Sequence, residues 1–162
     1  MTLARPRPFL MVKCKKIVMV ISSLSAGGAE RILCIMANYW ARKGWHVKIL
    51  SFDDGSKESF FDLEPNVGHI ALGISGNATN MLVGIFKNME RVRVLRRHIR
   101  LYGPDAVISF VDKTNILTLA ATWRLNMKVL VSERTDPHMY SIGKAWCLLR
   151  RFVYQRADWI VV

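Results

Sequence analysis

The chain has 162 residues, 51% of them hydrophobic and 22% charged, with a formal net charge of +12. A chain of that size builds one domain that buries about 70% of its unfolded surface, and this composition excludes an intrinsically disordered protein. The three cysteines (Cys14, Cys34, Cys147) have no CxxC spacing, which argues against a disulfide scaffold or a structural zinc site, and no apolar run approaches the ~18 residues that span a bilayer.

The N-terminus is basic. Its apolar patch, Phe9 to Val12, is too short for a secretory core, so a reduced, cytoplasmic protein is expected. Residues 1–14 read as a disordered basic extension and 15–162 as the domain; Met11 is an alternative start. Lys16–Ser22 (KIVMVIS) is a continuous apolar run, the mark of a buried parallel strand. A small-residue turn follows, Ser23 to Gly28. Ala29–Lys43 has helical spacing and ends where Gly44 supplies a C-terminal cap. His46–Phe52 is a second strand, Asp53–Asn66 a polar loop and Val67–Leu72 a short third strand.

After the loop Gly73–Asn80, Met81–Leu101 is the strongest amphipathic pattern. Leu82, Ile85, Phe86, Met89, Val92, Leu95 and Ile99 form one apolar face, and Arg93, Arg96, Arg97 and Arg100 mark another. Ala106–Phe110 is strand four, Thr114–Arg124 a helix and Met127–Val131 strand five. Ser132–Tyr140 is a loop, Lys144–Gln155 a helix, and Trp159–Val162 begins strand six. Six strands alternating with helices predict an α/β, Rossmann-like doubly wound parallel sheet in the order 3-2-1-4-5-6, with ligands outside the carboxyl ends of the strands. Val162 lies within an apolar run, which suggests the front half of something longer.

The charge is patchy: residues 1–16 and 80–101 each carry +5, and residues 143–158 add +3. Such patches point to an anionic partner: a membrane surface, a phosphorylated ligand or nucleic acid. The arginine-rich helix fits an anionic lipid surface, and equally a solvated helix face. Nucleic acid is disfavoured because no aromatic residues interleave the arginines as stacking platforms.

Three turns carry candidate chemistry. In SLSAGGAER (Ser23–Arg31), Gly27 and Gly28 free the backbone of Cβ atoms before a helix N-terminus, whose amides and dipole favour an anion. Close strand–helix packing explains the same glycines. Glu30 sits in the first helical turn, as a ligand contact or as a cap. The absence of GxGxxG and GxxxxGK[ST] weakens nicotinamide and P-loop readings. In VLVSERTDP (Val129–Pro137), Ser132, Glu133, Arg134 and Asp136 follow a buried strand. The carboxylates can accept bonds from hydroxyls and Arg134 can fork onto a phosphate, or the group forms an internal ion-pair network. Asp112 and Asn115 follow strand four in the same crevice, where Asp112 or Thr114 also suits a helix cap. The four histidines show no metal spacing, so no metal is expected.

The opening KIVMVISSLSAGGAERILCIMANYWARKGWHVKILSFD, with VISFVDKTN, VLVSERTDP and LLRRFVYQRADWIVV after it, resembles glycosyltransferase family 4, in the branch that builds polysaccharides and lipid-linked oligosaccharides. The resemblance implies one half of a GT-B fold, the N-terminal acceptor-binding domain, without the C-terminal domain that holds most of the nucleotide-sugar donor. It implies a retaining transfer from that sugar to a lipid-linked or saccharide acceptor, no separate cofactor, and catalytic groups mainly in the other domain. Gly27 and Gly28 would approach the donor diphosphate. Ser132, Glu133 and Arg134 stand where many relatives place a histidine, so that histidine's role does not transfer. The basic helix matches the family's docking at the cytoplasmic face of membranes. This chain alone is then expected to be inactive. The alternative is a non-catalytic basic binding module, for nucleic acid or for a separate donor-binding subunit.

Overall fold

In the first strand the side chains alternate between two interiors. The computed structural model describes residues 16–76, 80–134 and 142–162. The basic extension, Cys14 and Asp136 therefore lie outside the described residues. Strand β1 (Lys16–Ile21) sends Ile17, Met19 and Ile21 into one apolar cluster and Val18 and Val20 into another. A strand buried on both faces must be covered by helices on both, which is why its sequence is continuously apolar.

Helix α1 (Gly28–Arg42) covers the first face through Leu33, Cys34, Ala37 and Ala41. It leads to β2 (His46–Ser51), and a long loop then reaches β3 (Gly68–Ala71). No helix joins β2 to β3; Phe61 and Leu63 of the connecting loop pack against the α1-side cluster instead. Asn38 of α1 fastens that loop, donating to the Asp62 carbonyl and accepting from the Glu64 amide.

Helix α2 (Met81–Tyr102) crosses the opposite face and returns to β4 (Ala106–Phe110). Asn80 caps its first turn, accepting from the Val83 amide, and Gly103 ends it in the left-handed conformation at φ 60°. On the same face, α3 (Asp112–Ala121) follows β4 and leads to β5 (Lys128–Ser132). Leu95 and Ile99 of α2 join Leu117 and Ala121 of α3 over Val18, Val20 and Val107. Helix α4 (Lys144–Val153), a short 3-10 turn (Tyr154–Arg156) and β6 (Trp159–Val161) complete the described chain. All pairings are parallel and the order is β3-β2-β1-β4-β5-β6, as the alternation of elements predicted. The carboxyl ends of all six strands therefore share one edge, where β1 meets β4 at the change of winding direction.

One expectation fails. Leu95 and Ile99 are buried, but Leu82, Ile85, Phe86 and Met89 of the same predicted apolar face are exposed, Leu82 and Phe86 at 69% each. The cause is the helical period. At about 100° per residue Leu82, Phe86 and Met89 share the face of the exposed Arg93, Arg97 and Arg100, well away from the face of Leu95 and Ile99, and in the first half of α2 it is Val83, Gly84, Lys87 and Asn88 that are half-buried. Because α2 follows β3, its first half, with exposed Leu82, Ile85, Phe86 and Met89, lies toward the carboxyl edge of the sheet.

Candidate functional site at the carboxyl edge of the sheet

The turn after β1 is open. Gly28 is exposed, and a Cβ built there meets nothing within 4 Å. Gly27 caps α1 without a side-chain bond at φ −175°, extended backbone that any residue adopts, so the fold does not require glycine there. A Cβ on Gly27 would instead collide with the Glu30 carboxylate, which folds back over the start of α1. Glu30 thus occupies the position beside the helix N-terminus where an anion is favoured.

Beside this turn lies an open pocket of about 460 Å³, lined by Ser23–Ala26 on one side and by Asp53, Asp54, Ser56, Lys57, Glu58 and Phe60 on the other. The Phe60 amide donates to the Leu24 carbonyl, and the Phe52 and Asp53 amides both donate to the Ser22 carbonyl, so loop and turn form one wall. Asp53 accepts from the Gly55 amide and the Ser51 hydroxyl; Ser51 also bonds His69 Nε2 at 2.8 Å. Burial holds the His69 imidazole below its usual value, and Asp53 partly opposes that shift. The sequence reading passed over the lining residues of this loop. In that loop the Phe60 ring is 67% exposed, while the adjacent Phe61 packs against the α1-side cluster.

The ends of β4 and β5 are closed, which corrects the expectation that Asp112, Asn115, Ser132 and Glu133 face the crevice: all four are buried. The Glu133 amide donates to the Val161 carbonyl, extending the β5–β6 ladder and fixing its side chain inward. Asn115 accepts from the Ser109 hydroxyl at 2.7 Å and donates to the Ser132 carbonyl at 3.1 Å, joining β4, α3 and β5. Asp112 does not cap α3. Its predecessor Val111 takes that position, without a side-chain bond, at φ 73° and ψ 137°. For a β-branched residue that conformation costs about 1–3 kcal/mol, and such strain persists only where the surroundings enforce it.

Arg150 of α4 reaches both Asp112 and Glu133 at 3.6 Å, and the Tyr154 hydroxyl donates to Glu133 Oε1. Burial pushes the Glu133 carboxyl up to about 7, helped by the neighbouring Asp112 carboxyl; Arg150 and Asn115 act in the opposite direction. Arg150 and Tyr154 were missed as site residues because they come from another element. Of the described residues in the Ser132–Asp136 run, only Arg134 is exposed.

The cationic helix departs from its expected pattern at one position. Arg93, Arg97 and Arg100 are exposed and line a groove of about 430 Å³ with Arg96 and Leu101. Arg96 itself is half-buried and donates to the Ala121 and Trp123 carbonyls at 2.7 and 2.8 Å, neutralising the end of α3. Among the described residues no helix is long and apolar enough to cross a membrane.

Residues 27–162 match a family model described as a glycosyl transferase 4-like domain. Over 143 residues the chain is 33% identical to a Campylobacter jejuni GalNAc-alpha-(1->4)-GalNAc-alpha-(1->3)-diNAcBac-PP-undecaprenol alpha-1,4-N-acetyl-D-galactosaminyltransferase, covering 88% of this chain and 38% of that protein. The chain thus spans well under half the length of this relative. Among solved structures it is similar to sucrose-phosphate synthase from Thermosynechococcus elongatus (TM-score 0.71, 13% identity, 90% of this chain and 41% of that one). It is also similar to Acinetobacter baumannii MurG (TM-score 0.63, 19% identity, 90% and 40%). At those identities the structures speak for the fold alone, the doubly wound sheet of one GT-B half. With the family model covering most of its length, the chain belongs to the glycosyl transferase 4-like family.

Proposed function

We propose that this chain is the acceptor-binding half of a retaining glycosyltransferase, which moves a sugar from a nucleotide-sugar to a lipid-linked or polysaccharide acceptor at the cytoplasmic face of a membrane. The observation that carries the reading is the exposed face of α2. Leu82, Ile85, Phe86 and Met89 stand exposed at the carboxyl edge of the sheet, on the helix that also carries the exposed Arg93, Arg97 and Arg100. Burying one large apolar side chain contributes about 1.5–3 kcal/mol, and each arginine near an anionic surface about 1 kcal/mol. Together they suit reversible docking, which brings the crevice to an acceptor held in lipid. The relative's PP-undecaprenol acceptor supports the same reading.

Within the crevice, Phe60 offers an apolar face, and the hydroxyls and carboxylates of the β1 turn and β2 loop offer partners for a polyol. The amides at Gly27 and Gly28 would receive the donor diphosphate once Glu30 swings aside, and exposed Arg134 would add charge to it. Preorganised donors aimed at the departing diphosphate stabilise the transition state, and most would come from the donor-binding domain. The chain alone is therefore inactive in this reading.

Flotation with anionic vesicles tests it. The 162-residue protein should float, and Leu82→Ser with Phe86→Ser, or Arg93, Arg97 and Arg100 all changed to Glu, should abolish flotation without altering the fold. Unchanged flotation removes α2 from the argument. DNA or RNA binding at physiological salt without flotation favours the nucleic-acid module.

A further inference from the structure

The closed side of the crevice holds a charge arrangement that sugar transfer does not explain. Two carboxyl groups, Asp112 on α3 and Glu133 after β5, are buried beside a single guanidinium, Arg150 on α4. Glu133 Oε1 accepts from the Tyr154 hydroxyl and faces Arg150, while Oε2 is buried with no donor. Arg150 faces the Asp112 carboxyl as well, so the two buried carboxyl groups are neighbours. Two ionised carboxylates side by side repel, and neither can donate to the other, because both only accept. One proton on Oε2 resolves three features at once: it supplies the donor between the carboxyls, satisfies the orphaned oxygen and leaves the cluster neutral. Without it, a net negative charge is buried.

We propose that Asp112 and Glu133 share one proton and, with Arg150, form a neutral clasp that fastens the ends of β4 and β5 to α4, and that loss of this proton loosens the clasp. Arg150, Asp112 and Glu133 are positioning residues; none of them touches the pocket beside the β1 turn. The groups facing Glu133 are Asp112 and Asn115 from α3, Arg150 from α4 and Tyr154 from the 3-10 turn. The strained Val111, adjacent to Asp112, is held by its amide bond to the Ser132 carbonyl and by the Asn115 amide on its own carbonyl. The clasp therefore also maintains the strained end of β4. Arg134 leaves from the same joint, so the clasp sets where that exposed cation points. The inference rests on the buried cluster and stands whether or not the chain binds an acceptor.

Infrared difference spectra of the whole chain provide the test, because exposed carboxyl groups are ionised above about pH 6. Wild type should retain a protonated-carboxyl band above about pH 6 and lose it around pH 7. Glu133→Gln should lack that band, and Asp112→Asn should move its loss to lower pH, because the neighbouring negative charge is gone. A wild-type spectrum with no such band overturns the proposal without any variant, and so does the same band in Glu133→Gln. A second readout separates the clasp from ordinary packing. The thermal midpoint of wild type should fall as pH rises from about 5 to about 8, while that of Glu133→Gln stays level. Equal slopes for the two proteins also overturn it.

Discussion

The two sides of the crevice sit at the same edge of one sheet and hold opposite kinds of chemistry. After β1 and β2 the polar residues are exposed around an open pocket and bond mainly to nearby backbone. After β4 and β5 they are buried and bonded to one another across three elements. A carboxyl-edge position in such a sheet is thus no proof of ligand contact. The open side can meet a substrate, whereas the closed side holds the shape of the edge.

The sharpest way to break that contrast is Asn115→Ala. It leaves the Ser109 hydroxyl buried without its partner, an orphan that costs about 1–3 kcal/mol, and removes one of the two donors on the Ser132 carbonyl, where the Val111 amide remains, for about 0.5–1.5 kcal/mol more. Chemical denaturation should show a loss of about 2–4 kcal/mol in total. A change below about 0.5 kcal/mol would mean that water reaches these groups and that the side is not closed. Arg150→Ala comes next. It strands two buried carboxyl groups, but the guanidinium is itself one-third exposed, so the loss should be about 1–3 kcal/mol, below the full cost of breaking a buried pair. That loss should be larger at about pH 8 than at about pH 5, where Glu133 holds its proton.

The direction follows from linkage. The folded Glu133 carboxyl ionises near 7 and the unfolded one near 4.5, so the folded state binds more protons between these values. Its stabilising contribution is complete below the unfolded value and is lost as pH rises through about 7.

The strand order was legible because continuous apolar runs and a regular alternation of elements admit few topologies. Ala106–Phe110 is predicted and observed with the same bounds. Helix α3 shows the limit. The sequence places it at Thr114–Arg124, but it occupies Asp112–Ala121, because Val111 turns at positive φ and starts it early. In α2 the apolar residues named as one face fall on two: Leu95 and Ile99 pack inward, while Leu82, Phe86 and Met89 align with Arg93, Arg97 and Arg100 on the exposed side, and only the packing shows which of the two the sheet takes. The orientation of Asp112 and Glu133 was illegible for a similar reason. Whether a carboxyl group is turned inward is decided by its partners, and Arg150 and Tyr154 arrive from α4 and the turn after it. Phe60 was not legible: Phe61, in the same run of acids and hydroxyls, packs against the α1-side cluster, and only the fold shows which of the two rings faces out.

The smallest expected effect falls on the open side, and its smallness makes it informative. Gly28 has no positive φ, and a Cβ there meets nothing within 4 Å. It opens α1, where alanine is the better helix former by up to about 1 kcal/mol, less in the first turn where hydrogen bonding is incomplete. Gly28→Ala should therefore leave thermal stability within about 0.5 kcal/mol of wild type, or raise it. The fold makes no use of the missing side chain, so any requirement for glycine must come from a ligand passing close to the backbone. With the donor-binding domain present, the same substitution should raise KM for the nucleotide-sugar. Full activity at unchanged stability would show that the diphosphate does not pass over this turn, and the glycine loop would lose its place in the site.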